Sequence, residues 1–444
     1  MVTGGPVEVE GAAAPPGPQP LPFVGRESEL FRLGAAWGSA ARGRPGLVLL
    51  AGAAGIGKTR VARETVRLAR DTGGAVLWAR CQGAERSLLL QPFVEAIGAH
   101  AAQLPPDLLR RLAGQRAATL AALVPGVASV LGPVLTTPAS RAVRQRLAGE
   151  AVTGFLAALA AHQPVLLVLD DLHDAAASTV ALLRELVTGT GTRLLAVATV
   201  RAPEGGAVLD PLAGAATRLD LGPLSPPAVT RLATEAGWGD RAAEIRAGTG
   251  GNPLFVVEAL RALAAGAPRP PESLEAAVLA RLGRVDAGTE RIVRAAAVLG
   301  VTVDPATLAR LVDLPLPATA AHCEAALSGG LFVAAEGGYE FGHDVVREVL
   351  YATTPAPTRD LHHRRAAELL DHRPEAMAAH AAAVGDWPRA ARGWLLAGAE
   401  AARLDADVDA EALLVRAVDA GRRAGEAGAV ARAEALLRQV RDGG

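Results

Sequence analysis

A glycine-rich loop that contains the only lysine of the chain most strongly limits what this sequence can fold into. The other 44 of its 45 lysine and arginine residues are arginine, and Lys58 lies in the segment GAAGIGKT at 52–59. The segment fills every fixed position of the phosphate-binding pattern G-x-x-x-x-G-K-[ST]. The apolar run at 46–51 indicates a buried parallel strand, and the spacing of apolar residues after Thr59 indicates a helix. Strand, glycine loop and helix in this order predict a phosphate-binding loop.

The residues of this loop have separate roles in the predicted site. Backbone N–H groups of 54–59 would surround a β-phosphate, helped by the partial positive charge at the helix N-terminus. Lys58 would bridge the β- and γ-phosphates, because its compact ammonium fits between phosphate oxygens where the wide guanidinium of arginine does not. The Thr59 hydroxyl would bind Mg²⁺. The loop residues expected to bind nucleotide are Gly52, Ala54, Gly55, Ile56, Gly57, Lys58, Thr59 and Arg60.

A second motif supplies carboxylates. The apolar run at 165–169 ends in Asp170 and Asp171. Asp170 would hold Mg²⁺ through water, and Asp171 would orient or deprotonate the attacking water. Alone, this pattern fits equally well a strand followed by an Asp-capped turn, but the upstream loop favours the catalytic interpretation. Many fast ATPases carry Glu at the second position, so Asp171 predicts slow turnover.

Three further residues are ambiguous when taken alone. Arg201 follows the strand candidate at 193–199, at the edge where open α/β sheets bind ligands. It either senses a γ-phosphate, as a third catalytic residue beside Lys58 and Asp171, or is a surface arginine. Pro253 begins a helix after a turn, and His343 is a histidine at a helix start.

Composition limits the class of protein. The formal charge of −1 gives no global electrostatic case for binding nucleic acid or an anionic membrane. Cys81 and Cys323 lie far apart, which favours two small buried side chains in a reducing compartment over a disulfide. The first 20 residues lack the pattern of a signal peptide, and no apolar stretch reaches the roughly 18 residues of a membrane span. We therefore expect a soluble, cytoplasmic protein.

The pattern along the chain predicts several units. Strand candidates at 75–79, 165–169, 193–199 and 217–221 alternate with helical patterns, which predicts an α/β P-loop NTPase domain with a parallel sheet of about five strands. Helices then take over, interrupted by a Gly337-Gly338 turn that indicates a hairpin after three helical patterns. The expected units are a disordered leader (1–20), a P-loop AAA-type domain (21–222), a helical lid (223–271), a winged-helix-like domain (272–356) and the TPR-like, all-α start of a repeat array (357–444).

Taken in order, these motifs resemble the STAND class of signal-transduction AAA-type ATPases, and most closely the ATPase core of the large ATP-binding LuxR-family regulators. The resemblance covers about 22–400, and the ordered series is more specific than any single member. Besides the phosphate loop it rests on FVGRE (23–27), QPFVEA (91–96), DDLH (170–173), TVR (199–201), GNPLF (251–255), ARL (280–282), AAVLG (296–300) and FGHDVVREVLY (341–351).

The resemblance implies further nucleotide contacts. Val24, Gly25 and Arg26 would lie against the adenine and ribose. Pro253 would pack on the base from the helical lid. His343 would reach the β-phosphate of bound ADP and lock a closed state.

The sequence also departs from the family. Residues 174–176 are Asp-Ala-Ala where the family has Trp-Ala-Asp, and the long helical sensor and terminal helix-turn-helix of such regulators are not complete in this sequence. Residues 275–351 contain six arginines against ten carboxylates, with Glu336 and Glu340 at the wing. Because DNA affinity depends on neutralising phosphates, we expect no strong DNA-binding patch here.

These observations lead to one hypothesis and three alternatives. The hypothesis is an ATP/ADP switch with Mg²⁺ and slow hydrolysis: ADP keeps the protein closed, and exchange for ATP exposes surfaces for self-association or for an effector. The alternatives are an AAA-type remodelling or initiator ATPase, a non-hydrolysing ADP-locked scaffold, and a fragment of a transcriptional regulator whose DNA-binding module lies elsewhere.

Overall fold

The computed structural model describes residues 21–81, 90–132, 141–201, 210–300, 302–335, 337–403 and 407–442. The predicted leader and Glu336 of the predicted wing lie outside these ranges. Strands alternate with helices up to Asp220, and helices dominate after it. This order confirms the predicted fold class, an α/β sheet domain followed by a largely helical part.

A parallel sheet forms the centre of the N-terminal part. Its strands, in the described part of the chain, are β1 (Gly46–Gly52), β2 (Ala75–Arg80), β3 (Val165–Asp170), β4 (Leu194–Arg201) and β5 (Ala216–Asp220). Their order across the sheet is β2-β3-β4-β1-β5, and all neighbouring pairs are parallel. The register pairs Gly52 with Arg201 and Arg80 with Asp170. The carboxyl ends of β1, β3 and β4 therefore bring the predicted site residues to one edge, where β2 also ends.

Helices cover both faces of this sheet. They are α1 (Glu27–Ala41), α2 (Lys58–Asp71), α3 (Gln91–Ala101), α4 (Pro106–Ala113), α5 (Ala117–Leu123), α6 (Ala128–Leu131), α7 (Arg141–His162) and α8 (Ala177–Thr188). One core contains Leu33 and Trp37 of α1 against β1 and β3, and the opposite core contains Phe93 and Phe155. Strands buried on both faces need apolar residues at almost every position, which is why β1, β3 and β4 appear as continuous apolar runs.

Residues 223–271, which we call the lid, form a small helical unit. Its helices are α9 (Pro226–Glu235), α10 (Ala242–Thr249) and α11 (Pro253–Ala264). Ser225 and Asn252 cap α9 and α11 through side-chain oxygens, and proline follows each cap at the first helical position. The lid core also includes Val24 from the N-terminal segment.

Residues 272–356, the third unit, combine helices with a small antiparallel sheet. The helices are α12 (Leu274–Leu282), α13 (Ala287–Leu299), α14 (Pro305–Val312), α15 (Leu316–Ser328) and α16 (Asp344–Thr353), and the strands are β6 (Thr302–Val303), β7 (Phe332–Ala335) and β8 (Gly338–Phe341). The strand order is β6-β8-β7, so β7 and β8 form the expected hairpin. Four helices, not three, precede it, and β6 is too short to give a sequence pattern. The winged-helix assignment stays a prediction.

The remaining helices pack against one another in chain order. They are α17 (Ala356–Leu369), α18 (Pro374–Ala383), α19 (Trp387–Arg403), α20 (Asp407–Ala424) and α21 (Ala427–Asp442). Small residues allow a close approach: a Cβ on Gly398 would lie 2.8 Å from Cγ of Leu414. Within the described ranges, no helix combines the length and apolar character needed to cross a membrane.

Candidate functional site

The glycine loop turns between β1 and α2 at the carboxyl edge of the sheet. Gly55 and Gly57 have φ values of +73° and +95°, in the left-handed region that favours glycine. A Cβ on Gly55 would also lie only 2.9 Å from Cβ of Leu254 in α11. Backbone conformation and the close approach of the lid therefore both require glycine here.

Lys58 lies at the start of α2 and is buried. Its Nζ donates hydrogen bonds to the carbonyl oxygens of Gly52 and Ala53, each at 3.0 Å. Burial lowers the pKa of Lys58, while the nearby Asp171 carboxylate opposes this shift. The ammonium is thus held over the loop and close to the carboxylates, where phosphate oxygens would compete with the loop carbonyls for it.

Asp170, at the end of β3, is held by two hydroxyl groups. Thr59 Oγ1 lies 3.1 and 3.0 Å from the two carboxylate oxygens of Asp170, and Thr199 Oγ1 lies 2.5 Å from one of them. Burial raises the pKa of Asp170, against the lowering effect of these hydrogen bonds. A carboxylate beside a threonine hydroxyl, completed by water and phosphate oxygens, is a donor set that suits Mg²⁺. The two predicted metal ligands are therefore adjacent.

Asp171 follows in a left-handed backbone conformation, with φ of +57°. Its backbone N–H donates to Thr199 Oγ1 at 2.8 Å. Its carboxylate Oδ2 accepts a hydrogen bond from Nε of Arg80 at 3.1 Å. Asp171 is therefore held by its backbone to β4 and by its side chain to the end of β2.

Arg201 ends β4 but does not extend into open solvent. Its Nη1 lies 2.6 Å from Oε1 of Glu348, and its Nη2 lies 3.2 Å from Oδ2 of Asp344. Both carboxylates belong to α16 of the third unit. Of the two interpretations left open by the sequence, a simple surface arginine does not describe this residue.

Asp344 also binds Arg80. Arg80 Nη2 lies 2.8 Å from both carboxylate oxygens of Asp344. Burial raises the pKa of Asp344, but Arg80 and Arg201 outweigh it and the net shift is downward. One carboxylate of the third unit therefore holds two arginines of the sheet edge.

The N-terminal segment lies between the loop and the lid. Buried Arg26 donates through Nη2 to the carbonyls of Ile56 at 3.1 Å and Gly222 at 2.6 Å. A Cβ on Gly25 would lie 2.5 Å from Cβ of Ala228 in α9. The structure thus brings Arg26 to the loop and Val24 and Gly25 to the lid. The predicted contact of these residues with adenine and ribose stays a prediction.

The first turn of α11 contacts the phosphate loop directly. Asn252 Nδ2 donates to the Ala54 carbonyl, and the Leu254 N–H donates to the Gly55 carbonyl, both at 3.2 Å. Pro253 stands between these two contacts, with its Cγ 3.9 Å from the place of a Cβ on Gly57. Pro253 is thus next to the loop, while Asn252 makes the direct contact. The predicted packing of Pro253 on the base stays a prediction.

His343 and Arg60 are less closely connected to this centre. His343 precedes α16 and has an exposed side chain, although the surrounding lid and third unit partly desolvate it and lower its pKa. The charge that most opposes this shift is that of Glu258 in α11. Arg60 is 42% exposed and pairs with Glu64 on its own helix at 3.3 Å. The structure therefore places Arg60 on a surface, and the phosphate contact of His343 stays a prediction.

Comparison with known proteins agrees with this geometry. Residues 22–198 match the family model of the AAA ATPase domain. This segment is similar to AAA ATPase domains. An uncharacterized protein of Rhizobium meliloti (strain 1021) is 28% identical over 456 aligned residues, which cover 90% of this chain and 42% of that protein. The chain therefore spans less than half the length of this relative.

Solved structures are also similar to this chain. A Signal Transduction ATPase with Numerous Domains (STAND) protein with a tetratricopeptide repeat sensor, from Pyrococcus horikoshii, superposes with a TM-score of 0.51 at 14% identity over 95% of this chain and 64% of that chain. A Walker-type ATPase of Pyrococcus abyssi gives 0.39 at 15% identity over 73% and 95%. The family match and the first of these superpositions confirm the predicted ATPase fold. Membership of the STAND class and the likeness to LuxR-family regulators stay predictions.

Sequence reasoning missed four residues that contact Asp171, the phosphate loop or Arg201. They are Arg80, Asn252, Asp344 and Glu348. Arg80 ends a strand at the same sheet edge as Asp170, and this position is the sequence feature that could have identified Arg80 as a site residue. Asp344 directly follows His343 in a segment that the family resemblance already marked. The sequence around Asn252 indicated only the start of a helix. It gave no indication that the Asn252 side chain also contacts the phosphate loop.

Proposed function

We propose that this protein is an ATP- and ADP-binding molecular switch with slow ATP hydrolysis. It acts in signal transduction or transcriptional regulation, in the manner of the LuxR-family regulators that its sequence resembles, through nucleotide-controlled opening and self-association. The AAA ATPase domain and the STAND-like fold support the nucleotide and the general class. The following contacts support the switch.

The observation that carries the proposal is the contact of Asp344 with Arg80 and Arg201. Both arginines end strands beside the predicted Mg²⁺ site, whereas Asp344 belongs to the third unit. A γ-phosphate bound at Lys58 would bring negative charge to the same edge and compete with Asp344 for the guanidinium groups. ADP lacks that charge. ATP and ADP would therefore favour different arrangements, which any ligand-driven switch requires.

The strength of this contact is suitable for a switch. A hydrogen bond to a charged group contributes about 1.5–3 kcal/mol, and the paired side chains of Arg80, Arg201 and Asp344 are 29%, 18% and 17% exposed. Two such pairs provide on the order of 3–6 kcal/mol before solvent screening. Moving an equilibrium from 1:99 to 99:1 takes about 5.5 kcal/mol. Loss of both pairs to a γ-phosphate would therefore change the dominant arrangement.

We assign ATP hydrolysis to residues at the same carboxyl edge of the sheet. Thr59 and Asp170 would hold Mg²⁺, which when bound neutralises charge on the phosphates. Lys58 would bind the phosphate oxygens, and Asp171 would orient the attacking water. The short side chain of Asp171 and its pairing with Arg80 support slow turnover. A chain that binds ATP but never cleaves it would favour the ADP-locked scaffold instead.

Nucleotide titration and hydrogen exchange test this function. We expect wild-type chain to bind fluorescent ATP and ADP analogues, and Lys58→Ala to lose at least about a hundredfold in affinity, since removing a buried charged partner costs several kcal/mol. Exchange at the amides of 344–353 should be slower with ADP than with a non-hydrolysable ATP analogue. Arg67→Ala is the control, because Arg67 is 67% exposed and pairs only along α2. Unchanged ATP affinity in Lys58→Ala would refute the site, and equal exchange with both nucleotides would refute the switch.

A further inference from the structure

Asn252, at the start of α11, is the only asparagine of the chain. Its Oδ1 accepts hydrogen bonds from the backbone N–H groups of Leu254 at 3.0 Å and Phe255 at 3.4 Å, which caps the helix. Its Nδ2 donates to the carbonyl oxygen of Ala54 in the phosphate loop at 3.2 Å. One side chain therefore uses its acceptor on the lid and its donor on the loop.

The cap alone does not require an asparagine. Asp304 caps α14 in the same way, because its carboxylate accepts from the N–H groups two and three residues further on and a proline follows it. Asparagine, aspartate and serine cap helices about equally well, and aspartate also gains from the partial positive charge of the helix N-terminus. Other helices of the chain are capped by serine or aspartate, at Ser225, Ser273, Asp286 and Asp304. The amide donor is what distinguishes position 252 from these caps.

The turn before α11 holds Asn252 in a defined position against the loop. The N–H of Asn252 donates to the Thr249 carbonyl at 3.1 Å, and the N–H of Leu224 donates to the Gly251 carbonyl at 2.8 Å. Buried Thr249 also accepts at Oγ1 from the N–H of Gly251 at 3.2 Å. Asn252 is therefore fixed to the lid by its backbone as well as by its cap, and its contact with the loop reports the position of the lid.

The lid contacts orient two successive peptide groups of the loop. Asn252 holds the carbonyl of Ala54, and the N–H of Leu254 holds the carbonyl of Gly55, each at 3.2 Å. In a planar trans peptide the carbonyl and the following N–H point in opposite directions. The N–H of Gly55, one of the donors expected to surround the β-phosphate, is therefore directed away from the lid.

We propose that Asn252 is a positioning residue for nucleotide binding, because its neutral amide holds the phosphate loop to the lid in the orientation that leaves the Gly55 N–H to the phosphate. This rests on the proposed nucleotide binding at Lys58. A carboxylate at position 252 would face the Ala54 carbonyl without a proton to donate, and it would add negative charge beside the phosphates. The amide avoids both costs.

A role as a helix cap only makes a different prediction. If Asn252 only capped α11, Asn252→Asp would keep the stability of the chain and also its nucleotide affinity. A positioning residue has another signature, because affinity falls while stability is retained. Repulsion also grows with the charge of the ligand, so the loss in Asn252→Asp should be larger for ATP than for ADP.

Titration of the full chain with fluorescent ATP and ADP analogues tests the proposal. We expect Asn252→Asp to weaken ATP binding by about tenfold or more, with a wild-type midpoint of urea unfolding. Asn252→Ser should keep the cap but lose the loop contact, because its hydroxyl is one atom shorter than the amide, and both nucleotides should bind about twofold to tenfold more weakly. Asp304→Asn is the matched control, since it exchanges the same two residue types at an exposed cap in the third unit. It should bind both nucleotides like wild type.

The possible failures are distinguishable. Wild-type affinity for both nucleotides in Asn252→Asp, or an equal loss in Asp304→Asn, would overturn the role of Asn252 while leaving the proposed switch intact. If Asn252→Asp fails to fold, Asn252→Ser decides: wild-type affinity there overturns the proposal, and weaker binding with unchanged stability supports it. A wild-type chain that binds neither nucleotide would overturn both this inference and the proposed function.

Discussion

His363 and His380 face each other through their Nδ1 atoms, 2.9 Å apart, in the buried contact between α17 and α18. Only one of the two facing nitrogens can carry the shared proton, so the contact requires at least one of the two rings to be neutral. On its other side, Nε2 of His363 lies 2.9 Å from the hydroxyl of Tyr351, which belongs to α16. The pair therefore connects the C-terminal helices to the helix that carries Asp344.

Acid should weaken this contact and the stability of the fold with it. Burial, assisted by the charge of His363, lowers the pKa of His380 from 6.5 to about 4. The unfolded chain therefore binds this proton first as pH falls, and stability is lost between about pH 6.5 and 4, by on the order of 3 kcal/mol. Urea unfolding across this range in wild type and His380→Gln checks the effect, which the variant should reduce.

The control for this experiment is His372, whose side chain is 67% exposed. His372→Gln should keep the full pH dependence of wild type. A pH profile of the free energy of unfolding that is the same in His380→Gln and wild type would contradict the assignment.

The buried carboxylate of Glu258 should contribute strongly to stability. Its side chain is 1% exposed and lies 2.8 Å from both Arg261 and Arg281, so it connects the lid to α12. Glu258→Ala would leave Arg281 buried without its partner, and breaking such a pair costs about 3–5 kcal/mol. Chemical denaturation measures the loss. Glu400→Ala, which removes an exposed pair with Arg403, should change stability by less than about 1 kcal/mol; similar losses in both variants would show that burial is not the cause.

The sequence predicts those parts of the fold that are determined by residues close together in the chain. Strands such as β3 are buried at every residue, so each appears as an apolar run. The phosphate loop is equally local, because its glycines and Lys58 act within one turn. By contrast, β6 has two residues and exists only through its pairing with Tyr339 and Glu340. No local pattern can reveal such a strand.

The same distinction separates the site residues that the sequence predicts from those that it does not. Asp170 was predictable because a carboxylate that ends a buried strand is unusual. Arg80 and Asp344 are 264 positions apart, and almost every basic residue of the chain is an arginine, so only its place at the end of a strand distinguishes Arg80 from surface arginines, and nothing in the sequence pairs it with Asp344. Contacts between units depend on how the units pack, which periodicity does not encode.

Gly55→Ala should impair nucleotide binding more than its backbone strain explains. A left-handed conformation costs a non-glycine residue about 1–2 kcal/mol. Gly73 provides the matched control, because its φ of +75° is similar but a Cβ there meets nothing within 4 Å. At Gly55 the added Cβ would instead meet Leu254 at 2.9 Å and push α11 away from the loop. Titration should show weaker ATP binding only in Gly55→Ala, whereas equal affinities in both variants would argue against lid contact as the cause.

Glu348→Gln should accelerate ADP release. The Arg201–Glu348 pair, 2.6 Å apart, is one of the contacts that join α16 to the sheet edge, and the Glu348 side chain is 42% exposed. Replacing a partly exposed charge with a neutral amide weakens such a pair by about 1 kcal/mol or less, which corresponds to release up to about fivefold faster. Stopped-flow displacement of a fluorescent ADP analogue measures the rate. Glu290→Gln is the control, because Glu290 is 39% exposed and pairs with Arg294 within α13. If release is equally fast in both variants and wild type, the third unit does not hold the nucleotide through Arg201.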